Sequence, residues 1–402
     1  MPKNCDVLII GAGAVGLSTG IALLQNRPSL KVIVADKEKD VGLHASGRNS
    51  GVIHAGFYYS PDSLKAKFCR DGNFELRKLA KKYGIPVKNV GKVIVASNQD
   101  EDSRMNTLFE RGIANGVELE IHPEEKLKEF EPLAITHNRF MWSPNTGISD
   151  SISIVTAMRE EFISLGGQIH FDSKVNLSES KDEIIDSSKQ FAFKHVVNAA
   201  GAQADRISRS VGIGTEYAML PFMGVYRATS EKNLPLQRLV YPVPHPINPF
   251  LGVHFTLTID GKVKIGPTAI PIAGREQYSF TEGWSGSDIA QALRGMKSLI
   301  NGDSHDFVAI LKSEWPKLIQ KMLVKESTKL VPTASDVKDW SRKPPGIRAQ
   351  LVHLPTGKLE QDFIVTTHMN ATHVLNAVSP GWTSSIPFGN YVTEDFVLPK
   401  LN

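Results

Sequence analysis

Three glycines and one acid near the N-terminus have the spacing that holds a dinucleotide. Gly11-Ala-Gly-Ala-Val-Gly16 reads G-x-G-x-x-G, and Asp36 stands 20 residues after the third glycine. Gly11 permits a tight turn, Gly13 lets the backbone approach a pyrophosphate, and Gly16 lets a helix pack close to a strand. A helix that starts in this loop turns unpaired N–H groups toward the phosphates. Asp36 is placed to accept hydrogen bonds from a ribose 2′-hydroxyl.

These residues need a βαβ unit to position them, and the flanking sequence supplies one. Val7-Leu-Ile-Ile10 is an apolar run of strand character, Val15, Ile21 and Leu24 have helical spacing, and Val32-Ile-Val34 is a second apolar strand. The 18 uncharged residues from Val7 to Leu24 do not read as a signal peptide or membrane span. Glycines, Ser18 and Thr19 interrupt the stretch, and no cleavage-site pattern follows it. Further strands are expected at 91–96, 168–171, 195–201 and 373–377, with helices around 101–112, 152–165 and from Thr383 onward. Two more helices are expected within 284–326, the second with Trp315, Ile319 and Leu323 on one face. The fold class is therefore α/β and α+β. A discontinuous Rossmann-like domain (1–84, 144–215 and 340–402) interleaves with a strand-rich substrate domain (85–143 and 216–339).

With 402 residues, 41% of them hydrophobic and 22% charged, the chain has the composition of a two-domain globular protein. A net charge of +4 suits an anionic small substrate or cofactor, and no basic patch interleaved with aromatics calls for nucleic acid. The two cysteines, Cys5 and Cys69, form neither a disulfide framework nor a metal-ligand spacing, so the expected compartment is the cytoplasm. Lys312, Lys317, Lys321 and Lys325 surround an apolar stripe over 307–324. That pattern admits a weak peripheral membrane contact, but the preferred reading is a surface helix packed on the second domain.

Interleaved nucleotide elements are more typical of FAD oxidoreductases than of NAD dehydrogenases. Val196-Val-Asn-Ala-Ala-Gly201, followed by Asp205, resembles the second nucleotide motif of the D-amino-acid oxidase superfamily. Within it, the chain resembles the L-2-hydroxyglutarate dehydrogenase/oxidase family. The matching strings run from His44-Ala-Ser-Gly-Arg-Asn-Ser-Gly-Val-Ile-His-Ala-Gly-Phe-Tyr-Tyr59 through Pro249-Phe-Leu-Gly-Val-His-Phe-Thr256 and Gly346-Ile-Arg-Ala-Gln350 to Asn376-Ala-Val-Ser-Pro380. The resemblance implies FAD as cofactor, oxidation of a 2-hydroxy acid to the 2-oxo acid, and an electron acceptor: oxygen, a quinone or an electron-transfer protein. The sequence departs from the family pattern at Gly266-Pro-Thr-Ala269, at 270–274 and at Gly381-Trp382, in regions expected to border the substrate.

Oxidation of a 2-hydroxy acid requires a carboxylate anchor and a base for the hydroxyl proton. Arg348 is the candidate anchor, because a guanidinium matches a carboxylate with a planar fork. His54 and His254 are the candidate bases, with His54 slightly preferred. Tyr58, Tyr59 and Lys65 are candidates for a second carboxylate. The resemblance also assigns to the cofactor Lys37, His44, Ser46, Asn49, Ser50, Gly51, Val175, Ala200, Gly201, Gly381, Thr383 and Ser384, and no metal. His44-Ala-Ser-Gly47 is similar to a context in which some superfamily members attach FAD through histidine; non-covalent contact is the preferred reading. The turn at 379–385 would point a helix N-terminus at the flavin. Three rivals stay open: an amine-oxidising enzyme of the glycine or sarcosine type, an NAD-dependent dehydrogenase, and a flavin-bound protein without turnover.

Overall fold

The computed structural model describes residues 1–245, 251–279, 282–302 and 305–401, so Pro249 and Phe250 of the family string lie outside the described residues. The strand β1 (Lys3–Ile10) lies at the centre of a six-stranded sheet. It pairs in parallel with β2 (Val32–Ala35) on one side and with the strand Phe191–Asn198 on the other. β1 is apolar because both of its faces are covered: Val7 and Ile9 enter one core, Cys5, Leu8 and Ile10 another. Each fully buried aliphatic side chain there contributes about 1.5–3 kcal/mol. Helix α1 (Ala14–Asn26) covers the first face and packs between the helices Ser151–Ser164 and Ser385–Val392. The strands Gln168–His170, Ile364–His368 and Ala371–Leu375 complete the sheet, so segments from three separate parts of the chain build it.

A second sheet of eight strands runs in the order Ser341–Arg342, Arg227–Ser230, Lys262–Gly266, His254–Leu257, Leu239–Pro242, Lys92–Val95, Arg139–Ser143 and Glu120–Pro123. A four-stranded sheet centres on Tyr217–Gly224 and Gly346–His353, which pair antiparallel over their full length and set Phe222 opposite Arg348.

The expected helix over 307–324 is broken. The helix His305–Glu314 gives way to a 3₁₀ turn, Trp315–Leu318, and a new helix, Gln320–Ser327, follows. Pro316 brings no N–H and fixes its own φ, so the helix cannot run through it. The presumed stripe divides accordingly: Trp315 and Ile319 are exposed, whereas Leu323 is fully buried.

One buried ionic cluster ties two helices to a loop: Asp205 lies on Ala204–Arg209, Asp288 on Gly286–Asn301 and Arg275 between Ile270–Pro271 and that helix. Arg275 donates to Asp205 Oδ2 at 2.9 Å, to Asp288 Oδ1 at 2.8 Å and to the Ala202 carbonyl at 2.7 Å. Arg275 and Asp205 are 2% and 1% exposed, so each charge depends on the other for solvation. Asp205→Ala leaves Asp288 as the only buried carboxylate paired with Arg275 among the described residues. The substitution is expected to cost about 3 kcal/mol in urea unfolding; a loss below about 1 kcal/mol, the range of an exposed pair, would contradict this account.

Candidate active site

A long cleft of about 610 Å³ runs from the β1–α1 turn to the second sheet. At its first end Gly11 adopts φ +109°, and a Cβ there would stand 2.6 Å from the Ala199 carbonyl oxygen. Gly16 is as tightly held, since its Cβ would meet the Gly11 carbonyl oxygen at 2.0 Å. Ser46 Oγ accepts from Ala14 N at 3.0 Å, and a Cβ on Gly13 would stand 3.0 Å from the same oxygen. Asp36 lines the cleft and already accepts from Ala12 N at 2.7 Å and from Glu38 N at 2.9 Å. Val175, Ala200 and Gly201 line the opposite wall, and Gly201 (φ +54°) has open space where a Cβ would be. Bare backbone on both walls and an open helix N-terminus fit a dinucleotide.

Lys37 is hydrogen-bonded to Glu38, to Glu276 at 3.1 Å and to His44 at 3.4 Å. Ligand atoms of Glu38, His44 and Glu276 lie within 4.8 Å of one another, and the lysine supplies their counter-charge. His44 also meets Tyr278 Oη through Nδ1 at 2.8 Å and Glu38 through Nε2 at 2.9 Å. Both of its ring nitrogens are thus engaged by protein, which argues against the covalent attachment. Asn49 and Ser50 line the cleft but make local bonds, from Asn49 to the Ser46 carbonyl at 2.8 Å and from Val52 N to Ser50 Oγ at 3.4 Å. Gly51 (φ +76°) passes close to Ser149.

Midway, the turn 379–383 forms one wall. Thr383 Oγ1 accepts from His54 N and donates to the Val52 carbonyl, each at 3.3 Å. The helix of this region begins at Ser385 rather than Thr383. Gly381 lines the cleft; Ser384 is buried behind it. Of the three departures from the family pattern, Gly381-Trp382 lines the cleft, whereas Thr268 and 270–274 do not. Thr268 is buried instead and accepts from Val225 N at 3.0 Å.

The far end gathers His54, His254, Arg348, Tyr226, Tyr241 and Leu251. His254 stacks on Tyr241 with ring centroids 3.8 Å apart. Its Nδ1 meets the Gly252 carbonyl at 2.8 Å; a carbonyl only accepts, so Nδ1 carries the proton and neutral Nε2 keeps its lone pair. Burial pushes His254 down to about 3, against the Gly252 bond and with help from Lys92 and Arg348. Burial, then Lys92, His254 and Arg348, hold His54 well below the ordinary imidazole range. The acids that line the cleft, Asp36, Glu38, Asp40 and Glu276, all belong to its first end.

Tyr58, Tyr59 and Lys65 do not line the cleft. Lys65 follows the helix cap of α2 (Leu64–Lys82), where Asp362 accepts from Leu64 N and Lys65 N, and its ammonium faces Phe363 at 5.6 Å. Tyr59 is bonded to Ser379, and Tyr58 packs on Phe57 at 4.2 Å. Sequence reasoning missed Tyr226, Tyr241 and Lys92. A signal existed for Lys92, the one charge in the apolar run Gly91-Lys-Val-Ile-Val-Ala96.

Residues 6–395 match the family model described as FAD dependent oxidoreductase. The chain is 36% identical to an L-2-hydroxyglutarate dehydrogenase of Escherichia coli (strain K12), over 97% of this chain and 92% of that one. It is 34% identical to the mitochondrial L-2-hydroxyglutarate dehydrogenase of Homo sapiens, over 98% and 89%. Among solved structures, L-alpha-glycerophosphate oxidase from Mycoplasma pneumoniae with FAD bound superposes with a TM-score of 0.75 at 21% identity, covering 98% of this chain and 95% of that one. Glycine oxidase from Geobacillus kaustophilus gives 0.70 at 18%, covering 98% and 94%. The last two likenesses show the fold alone.

Gly11→Ala tests the cradle. A Cβ in the left-handed region, pressed against Ala199, is expected to weaken FAD retention at least about tenfold, or about 1.4 kcal/mol. Absorbance near 450 nm after dialysis reads the occupancy, and undiminished occupancy would show that the cofactor does not sit on this turn.

Proposed function

This chain belongs to the FAD-dependent oxidoreductase family, and we propose that it oxidises L-2-hydroxyglutarate to 2-oxoglutarate. The observation that carries the substrate class is the far end of the cleft. There Arg348, His54 and His254 converge, and every acid that lines the cleft lies at its other end. Such a pocket favours an anion, and among the described residues an aminium substrate finds no carboxylate partner at this end. The relatives named as L-2-hydroxyglutarate dehydrogenases narrow the anion to a five-carbon 2-hydroxy diacid.

FAD, when bound, supplies the hydride acceptor. We assign its phosphates to the β1–α1 turn with Ser46, its adenosine end to Asp36, Val175 and Ala200–Gly201, and its flavin end to His54 and the 379–383 turn. Arg348 clamps the C1 carboxylate with its planar fork. Neutral His254 takes the hydroxyl proton on Nε2, and the Gly252 bond fixes the tautomer that leaves this nitrogen free. That bond moves the preference from His54 to His254. His54, held on the cleft wall by its backbone bond to Thr383, remains the second candidate. An arriving dianion raises both imidazole pKa values and so strengthens the base only when substrate is present.

We further assign 1–84, 144–215 and 340–402 to cofactor binding and 85–143 and 216–339 to the substrate side. The strand Gly346–His353 crosses this division to pair with Tyr217–Gly224 and brings Arg348 to the site. The electron acceptor is oxygen, a quinone or an electron-transfer protein. Among the described residues no helix is long and apolar enough to cross a membrane. The exposed Trp315, Ile319 and Met322, with Lys312, Lys321 and Lys325 exposed beside them, support a weak peripheral contact. Trp315→Ser with Ile319→Ser should then at least halve co-sedimentation with anionic vesicles; an unchanged bound fraction removes the membrane from the account.

Anaerobic addition of L-2-hydroxyglutarate should bleach the 450 nm band, and the D-enantiomer should not. His254→Asn should lower kcat by about 10²–10⁴, and Arg348→Met should raise KM about tenfold to a hundredfold. Because His254 is depressed to about 3, it is charge-free and competent at neutral pH. It loses its lone pair only as pH falls toward that value, so kcat/KM should show no acid limb above pH ~5. Bleaching by glycine or sarcosine, with full rate retained in His54→Asn and His254→Asn, would instead establish the amine-oxidising alternative.

A further inference from the structure

Lys92 is fully buried in an apolar strand, and its ammonium has no hydrogen-bond partner among the described residues. It is caged by aromatic faces: Tyr241 at 4.0 Å, Tyr58 at 5.1 Å and Phe57 at 5.4 Å from Nζ to ring centroid. Strand register explains the placement. Lys92 pairs with Leu239, two residues before Tyr241, and the pairing of Val240 with Phe255 brings Tyr241 against His254. The lysine therefore sits one layer behind the Tyr241–His254 wall of the cleft, while Tyr241 and His254 face it. The titratable groups around it among the described residues are Cys69 of α2, Tyr58, His54, Tyr241 and His254, and none is a carboxylate. An ammonium without a counter-ion in such a place costs folding free energy.

We propose that Lys92 is a positioning residue for the substrate: a cation held behind the cleft wall that draws a carboxylate onto the Tyr241 hydroxyl, beside His254, and is itself protonated as the anion binds. The proposal rests on the anionic substrate assigned above. The cation lies on the inner ring face of Tyr241 and polarises its hydroxyl toward a stronger donor. Burial depresses Lys92 to about 7, so near neutrality the free protein holds it partly uncharged. An anion in the cleft restores the charge, and binding takes up a proton.

The sign for stability follows from the same shift. Between about pH 7 and its ordinary 10.5, Lys92 binds fewer protons in the folded than in the unfolded protein. Its burial penalty is thus complete below that window and fades as pH rises through it. Removing the charge stabilises the fold most at or below neutral pH.

The experiment uses the flavin-loaded wild type, Lys92→Met and Lys92→Arg. Glutarate, which lacks the reacting hydroxyl, is titrated by flavin absorbance from pH 6 to 9, and turnover is measured with L-2-hydroxyglutarate. In the wild type, the glutarate Kd should rise at least fivefold between pH 7 and 9. Lys92→Arg, charged throughout, should bind with a flat profile. Lys92→Met should bind at least tenfold more weakly at pH 7, with KM raised in step, kcat within about threefold, and a melting temperature equal to or above the wild type's. Four results overturn the proposal: wild-type affinity in Lys92→Met, a pH slope that survives in Lys92→Arg, a fall in kcat at constant KM, or a clear drop in melting temperature. If Lys92→Met yields no folded protein, the slope in Lys92→Arg still decides. A wild type that neither binds glutarate nor is reduced by L-2-hydroxyglutarate refutes the substrate reading instead; a wild type that does both, with variants that match it, refutes only the role of Lys92.

Discussion

Backbone touches backbone at the mouth of the cleft, and the rest of the arrangement follows from that contact. The turn after β1 and the turn after Phe191–Asn198 approach until no side chain fits on Gly11. Parallel pairing on both sides of β1 brings the ends of three strands to one edge, and the loops beyond them form the cleft wall. Helix α1 can start at that edge only because Gly16 lies against the Gly11 carbonyl. A methyl group at either position separates strand from helix and closes the space that a pyrophosphate needs.

The chemistry proposed above lies at the opposite end, and the central sheet does not supply its residues. His254 and Tyr241 come from the eight-stranded sheet, and Arg348 comes from a strand that pairs with Tyr217–Gly224. His54 comes from the loop after the short strand β3 (Val52–Ile53), tied to Thr383 through its backbone. Four segments far apart in sequence must dock before the site exists. The cluster of Arg275 with Asp205 and Asp288 links the helix after Phe191–Asn198 to the segment after Ile270–Pro271 and to the helix Gly286–Asn301, with Arg275 and Asp205 almost wholly out of water.

This division explains what the sequence made legible. The βαβ unit and its glycines could be read directly, since turn, helix and acid are local and each has one physical reason. His254 and Arg348 could be found only through longer strings that resemble a family, because neither has a local signature. Lys92 and Tyr241 escaped notice: they meet through cross-strand register between residues about 150 positions apart, which no local periodicity encodes. Lys65 misled for the related reason that Asp362, 297 positions away, caps its helix and turns it from the cleft. The helix at 307–324 misled because apolar spacing was read through Pro316.

The concentration of basic groups at the far end has a consequence for how the site works. Two imidazoles and a guanidinium line this end with no acid beside them among the described residues, an ammonium lies behind the wall, and burial above all, aided at the imidazoles by the neighbouring positive groups, favours release of protons. His54, His254 and Lys92 all move toward the neutral form. A carboxylate pair on the histidines would stabilise the fold and raise their pKa values, but it would also repel an anionic substrate. The protein instead leaves the charge balance to be completed by what it binds. In the proposed reading, stability given up in the empty state becomes differential affinity for a dianion, and a neutral amino acid of similar shape receives less of it. Selectivity for the proposed hydroxy diacid over an amino acid would then come from this unfinished electrostatics as well as from any contact to the hydroxyl.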